Sequence, residues 1–362
     1  VSLNHMRKVD KAMRIKPFIP EKMLCKSSKY VLGYKRGILV IRDIYGKKVI
    51  QKLRIHGVVK SLVLVERLLR YEPRAAYALA DNIFIYSDHG SIYEYHVETN
   101  SQRVVHSFSR GMNNPLSFCA RKDENGKLIE LVYGEYIWNT DKGPVSIYKY
   151  IEGMWKEVYQ FPKHIVMHIH NIVYDKYRKQ YVILTGDEDN ESALWLADTD
   201  FCDVKMLIGG KQKYRACVAF PVQDGIYYAT DTPLEQNWIY YYEYTSEKLR
   251  KIFPMPGPCI YGNIYEEKLY LATSVEGNPT LGKWKYRLSN KLGVGVYDKN
   301  VHIIKCTSEG SVEEVGQFTK DKLPMWLFQF GNALFPSAED GVYISTQSTK
   351  EKGTYKLVED GI

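Results

Sequence analysis

Residues 167–189 read MHIHNIVYDKYRKQYVILTGDED. Two histidines, His168 and His170, begin an apolar run, and Asp187, Glu188 and Asp189 end it. An imidazole titrates near working pH, so it can take or give a proton in acid–base catalysis. Strand alternation places both rings on one face, with Ile169 opposite. Asp187, ending a neighbouring strand, can then orient one ring. The same three residues make a His-x-His set with a distal carboxylate, which also suits a divalent metal. The competing reading is structural: two histidines that only begin a strand.

Whether such groups meet depends on the fold, and an internal repeat runs through the chain. An aliphatic-aromatic strand recurs at Ile38–Ile41, Ile92–Tyr95, Ile147–Tyr150, Leu194–Leu196, Ile239–Tyr242, Val301–Ile304 and Thr354–Leu357. The spacing is roughly 45 to 63 residues, which fits four short strands per unit. Two strands with a turn precede each anchor, and a fourth often follows, as in Gln102–Phe108 and Trp155–Phe161. The expectation is an all-β chain: one β-propeller domain over 1–362, of about seven four-stranded blades. Six blades is the alternative, because the end units look incomplete. Residues 1–27 then serve as an extension that closes the ring by strand pairing. A pair of β-sandwiches would show no constant order of strand types. Outside Glu66–Tyr71, little of the chain has helical periodicity.

In a propeller, the start of each inner strand and the loop after each second strand share one rim. Inner-strand starts are Arg74, Asn113 with Asn114, His168 with His170, Arg215 and Tyr261. Second-strand ends are Asp88 with His89, Glu135 with Tyr136, Asp187, and Asp231. Ionisable groups converging on a central funnel are the usual make-up of a ligand site. Gln236 and Asn237 precede one third strand and either line the mouth or close a turn. Trp138 and Trp238 read as loop residues that can stack on sugars. Each choice has a plain alternative: an ion pair for Arg74 and Arg215, a turn for Asp231 and Asn113–Asn114, a loop cap for Glu135–Tyr136.

Composition narrows the classes. The 362 residues are 45% apolar and carry a net charge of +8, with 30 tyrosines. Tyrosine favours strands and half-wet surfaces. The cations are scattered and no nucleic-acid-binding motif occurs; an acidic carbohydrate or a phosphorylated ligand fits the charge equally well, and the plain alternative is that the charge serves solubility. The six cysteines lack metal-knuckle spacing and mostly lie in apolar runs, as buried thiols do. That favours a reducing compartment. No signal-peptide core and no membrane-length apolar segment occurs, so the expected location is cytoplasmic, or periplasmic or extracellular if a signal was removed. Monomer is the default state. No phosphate-binding loop, dinucleotide motif, G-x-S-x-G or H-E-x-x-H is present.

The stretches GMNNPLSF, YGEY, HIHNIVYD, TGD, QKYRACVAF and YATDTPLEQNWIY resemble bacterial sialidase-like, BNR-repeat propeller proteins of the carbohydrate-active kind. They span 110–278, under half the chain. Asp88-His-Gly-Ser-Ile-Tyr93 is similar to the core of an Asp box, but has Tyr in place of Trp and lies between strands two and three. The resemblance implies a propeller that handles glycans, often as a hydrolase. A sialidase's arginine triad and Tyr-Glu nucleophile cannot be mapped onto this chain.

Three functions follow. In a lyase acting on a uronate, Arg215 or Arg74 neutralises the carboxylate, with Asn114 assisting. His168 or His170 is the base, and Tyr136 or Tyr261 the acid. In a glycoside hydrolase the carboxylates come from Glu135, Asp187 and Asp231. In a non-catalytic glycan- or protein-binding propeller, the rim aromatics carry the contact. No cofactor is demanded by a motif; a divalent metal on His168, His170 and Asp187 is the variant.

Overall fold

The computed structural model describes residues 13–108 and 114–359. Their strands form seven four-stranded antiparallel sheets, arranged in a ring as the blades of one β-propeller. Blades one to six occupy 22–54, 76–107, 119–161, 168–209, 216–255 and 259–319. All seven anchors are third strands, from Ile38–Asp43 in blade one to Thr354–Glu359 in blade seven. The six-blade alternative is excluded.

Blade seven borrows its outer strand. Met13–Ile19 pairs antiparallel with Thr354–Glu359, next to Tyr343–Gln347 and the inner Asn332–Leu334. The segment 1–27 expected to close the ring therefore divides. Met13–Ile19 closes it, and Lys22–Lys26 is already the inner strand of blade one.

The strands differ by layer. Outer strands such as Val49–Arg54 alternate between half-buried and exposed residues. Middle strands such as Gly225–Thr230 are buried throughout, because both faces meet neighbouring blades. Much of the tyrosine serves this packing. Tyr86 and Tyr93, Tyr133 and Tyr148, and Tyr228 and Tyr240 are cross-strand partners. Their rings stack with centroids 5.5, 5.2 and 5.4 Å apart, a geometry that adds to plain burial.

One apolar cluster fills each seam between blades. Leu32, Tyr34, Phe84 and Tyr86 join blades one and two. Val132, Ile147, Ile169 and Ile183 join three and four. The closing seam is the leanest, with Ile19, Met23, Val31 and Tyr343. Polar contacts supplement it. Thr354 Oγ1 accepts from the Met23 amide at 2.8 Å and donates to the Glu21 carbonyl at 2.8 Å. Ser345 Oγ donates to the Met23 carbonyl at 3.0 Å.

Two short helices rise from the ring. Helix α1, Val63–Leu69, lies in the connection between blades one and two. Helix α2, Lys283–Leu288, lies between the second and third strands of blade six. No described helix is long and apolar enough to cross a membrane. Inner strands of all seven blades surround a central cavity of about 450 Å³.

Replacing Thr354 by Val keeps the side-chain shape but leaves a buried amide and carbonyl unpaired at the closing seam. Such groups cost about 1–3 kcal/mol each. Urea unfolding of the Thr354→Val protein is expected to show a loss of at least about 1 kcal/mol. An unchanged midpoint would mean that apolar packing alone closes the ring.

Candidate functional site

The site begins with the inner strand of blade four, His168–Asp175, and its partner Gln180–Gly186. Their register slips between Ile169 and Asn171, so His170 is the extra residue of a β-bulge. A second slip at Cys217 does the same in blade five. Both rings of the blade-four pair turn to one side, and Ile169 packs against Gly134 on the other. Gly186 allows the close fit: a Cβ there would lie 2.9 Å from His170 Cε1 and 2.9 Å from Arg215 Cγ.

Hydrogen bonding fixes the tautomers. His168 Nδ1 faces the Ile137 carbonyl at 3.1 Å, and His170 Nδ1 faces the Ala216 carbonyl at 3.0 Å. A carbonyl only accepts, so both Nδ1 atoms carry hydrogen. Both Nε2 atoms then point at Asp187, at 3.6 Å from His168 and 3.3 Å from His170. Asp187 therefore serves both rings rather than one. His168 Nε2 is buried and has no hydrogen-bond partner.

Arg215 binds the carboxylates together. Its Nη2 is 2.9 Å from Asp187 Oδ1 and 3.7 Å from Asp231 Oδ2. Asp231 Oδ2 also accepts from the Cys217 thiol at 3.3 Å. The Tyr136 ring lies 4.4 Å from that of His168, and the Arg74 guanidinium lies over Tyr136 at 5.7 Å. Among the described residues no carboxylate is within ion-pair reach of Arg74; its Nη1 donates to the Asn114 carbonyl at 3.3 Å. Arg74, Tyr136 and Tyr261 line a mouth cavity of about 120 Å³ together with Arg70, Lys22 and Gln329.

Electrostatics separates the roles. Burial, reinforced by His170, pushes the His168 imidazole down to about 4. Burial pushes the Asp187 carboxyl up, but the His170 contact and the Arg215 charge outweigh it and hold it well below the usual range. Burial, with Asp187 beside it, raises the Tyr136 hydroxyl, so it keeps its proton. At neutral pH the cluster thus holds a bare imidazole nitrogen, a fixed carboxylate and a phenol with a proton to give.

Other expected residues go elsewhere. Glu135 is buried, and its Oε2 accepts from the Ser146 amide at 2.8 Å across the blade-three hairpin. Asn237 is fully buried, and its side chain bonds Thr230, Thr232 and the Gly295 carbonyl, closing the turn. Gln236 ties the Met255 carbonyl and Tyr297. Trp238 lies in the strand Asn237–Glu243 rather than in a loop, with Lys251 over its ring. Trp138 is 82% exposed. Asn113 and Arg110 lie outside the described residues.

Three nearby groups escaped the sequence reading. Glu276 follows the second strand of blade six, Lys268–Thr273, in ATSVEGN, two residues further on than Asp187 and Asp231 are from theirs. Burial and then Asp231 push it up to about 7. The same rim rule would have found it. Cys217 is a site cysteine; burial and Asp231 raise its thiol well above 9, so it stays inert. Arg70 caps α1 beside Arg74; it lies in the helical stretch Glu66–Tyr71, but nothing in that stretch marks it as facing the mouth.

The donor set also fits a metal. His168, His170 and Asp187 present ligand atoms within 4.8 Å of one another, and His170, Cys217 and Asp231 form an overlapping set. Two imidazoles with a carboxylate suit a zinc-class ion, and the unpartnered His168 Nε2 is the observation in favour.

No protein-family model matches the chain, and no curated protein matches it. Solved structures similar to it are propellers. Oligogalacturonate lyase from Vibrio parahaemolyticus is 12% identical, with a TM-score of 0.54 over 97% of this chain and 92% of that one. The WD40 propeller domain of Doa1 is 10% identical, with a TM-score of 0.53 over 97% and 95%. At such identities the likeness extends to the fold, and the sialidase-like resemblance goes no further than the propeller architecture.

His168 has a folded pKa of about 4 against an ordinary 6.5. Its contribution to stability is therefore complete above about pH 6.5 and is lost as pH falls toward 4. Nitrogen-15 NMR of the imidazoles should show His168 as the neutral Nδ1–H tautomer down to about pH 4. A midpoint near 6.5 would mean that water reaches the ring.

Proposed function

We propose that the chain cleaves an acidic polysaccharide or oligosaccharide in its central funnel, by β-elimination from a uronate. One observation carries the reading. The unpartnered Nε2 of His168 lies beside the Tyr136 ring, and Arg74, with no carboxylate partner among the described residues, lies over the same ring.

Each group has a role in the proposed reaction. Arg74 grips the uronate carboxylate, since a guanidinium without its own counter-ion is suited to that fork. This makes the C5 proton more acidic. His168 Nε2 removes it, the C4–C5 double bond forms, and the C4–O bond breaks. Tyr136 gives its hydroxyl proton to the leaving oxygen. Arg215 is already shared between Asp187 and Asp231. Its part is to position Asp187, which orients the histidines. A divalent ion held by His168, His170 and Asp187 would occupy the His168 Nε2 lone pair, so added metal should slow this route. That a similarly folded protein is an oligogalacturonate lyase agrees with this chemistry.

Hydrolysis is less well supplied. Glu135 is turned into its hairpin, and Asp187 and Asp231 both face a guanidinium, so neither is a ready proton donor. The binding propeller remains the second reading. The observation in its favour is the exposure of Trp138 and Trp284 at 82% and 74%, as stacking surfaces require.

Acidic polysaccharides incubated with the protein, with and without divalent metal, should yield new reducing ends together with ultraviolet absorbance from the unsaturated sugar. His168→Ala and Tyr136→Phe should each lower turnover by about 10²-fold or more. Arg74→Ala should lower kcat as well as raise KM, because the charge it neutralises grows as the C5 proton leaves. Ends without absorbance would replace elimination by hydrolysis, and no ends on any substrate would leave the binding propeller.

A further inference from the structure

A second cluster, sharing no residue with the funnel set, lies where blade one hands over to blade two. His56 follows the outer strand Val49–Arg54, and Asp88 with His89 ends the second strand Ile83–Asp88. Their ligand atoms lie within 4.8 Å of one another. His56 Nε2 is 2.7 Å from Asp88 Oδ2, and His89 Nδ1 is 3.4 Å from Asp88 Oδ1. Asp88 and His56 are buried, whereas the His89 side chain is 41% exposed and opens the cluster to solvent.

One tautomer of the cluster leaves room for a cation. The Tyr34 hydroxyl accepts from the Gly37 amide at 3.0 Å. It faces Glu66 Oε1, the Tyr71 carbonyl at 2.9 Å and His56 Nδ1 at 3.1 Å. Where its one proton goes to an oxygen, His56 Nδ1 is the donor to Tyr34. The His56 Nε2 lone pair then faces Asp88 Oδ2. Two electron-rich atoms at that contact need a positive charge between them, either a second proton or a metal ion.

We propose that His56, Asp88 and His89 form a second divalent-metal site, for a zinc-class ion. Ligand bonds of about 2.0–2.1 Å at a tetrahedral centre set neighbouring donors about 3.3 Å apart. The His89 Nδ1 to Asp88 Oδ1 spacing of 3.4 Å is of this size, while His56 approaches the other oxygen, Oδ2. The His56 side needs an opening of about half an ångström. Tyr34 holds His56 through its far nitrogen, the usual outer support of a metal-binding histidine. The Tyr71 ring lies 3.8 Å from that of His89 and covers one side. Two imidazoles and one carboxylate select zinc, cobalt or nickel over magnesium or calcium, which prefer oxygen. The site would clamp the connection that carries α1. Through Arg67, that connection reaches Asp321 at 2.6 Å and the Phe328 carbonyl at 3.0 Å across the ring.

The test is titration of the full chain with Zn²⁺ alone by calorimetry, and with Co²⁺ alone by visible absorbance. His89→Ala, His56→Gln and His168→Ala proteins are compared with the natural sequence. The expected result is a class of sites that His168→Ala keeps and that His89→Ala weakens by about tenfold or more, with its cobalt absorbance lost. His56→Gln should weaken the same class. Unchanged stoichiometry and affinity in His89→Ala would overturn the proposal. So would a natural-sequence protein that binds no ion, or one whose only class disappears with His168→Ala. In those cases a proton alone joins His56 to Asp88.

Discussion

One half-buried guanidinium organises the funnel. Arg215 holds Asp187 and Asp231, which end the second strands of adjacent blades. Buried ion pairs lose in desolvation much of what they gain in attraction, so the value of this one lies in position. Asp187, fixed by Arg215, faces both imidazole Nε2 atoms. Removing the guanidinium would leave two carboxylates close together without a counter-charge, and the buried rings would lose their orienting group. Arg74 is different: with no carboxylate in reach among the described residues, it is available to an anionic ligand.

The propeller makes this arrangement affordable. Seven apolar seams and cross-strand tyrosine pairs hold the inner strands rigidly enough to carry strained details at their ends. Bulges at His170 and Cys217 rotate side chains inward without breaking the sheets. Gly186 leaves room for the His170 ring against the Arg215 stem, and Gly134 leaves room for Ile169 on the other face. Ring and strand are thus packed from both sides, which keeps water from His168 Nε2. That dryness keeps the ring neutral.

The rim repeats one topological position with different residues. Asp88, Asp187 and Asp231 end their second strands, and Glu276 follows its own closely. Asp88 faces histidines from its own side of the ring, while Asp187, Asp231 and Glu276 share the field of Arg215. Equivalent carboxyls differ because their neighbours differ. Glu276 sits near 7 beside Asp231, whereas Asp187 stays ionised under two imidazoles and a guanidinium.

Periodicity and residue type were enough to determine the all-β class and to narrow the blades to seven or six, because third strands carry their own aliphatic-aromatic pattern; the closed ring chose seven and Met13–Ile19 as the closing strand. Topology alone then picked out His168, His170, Asp187, Arg215 and Asp231 as neighbours. It could not separate these from Glu135 and Asn237, which share the same loops but bond inward. That choice depends on which way a side chain leaves its turn, and no pattern in the residues encodes it. The bulge at His170, the helix that brings Arg70 beside Arg74, and the approach of Cys217 to Asp231 are likewise products of register and packing. They were settled only when the blades closed against one another. Protonation follows the same division: the histidines are legible in the sequence, but the burial that lowers His168 to about 4 exists only in the folded ring.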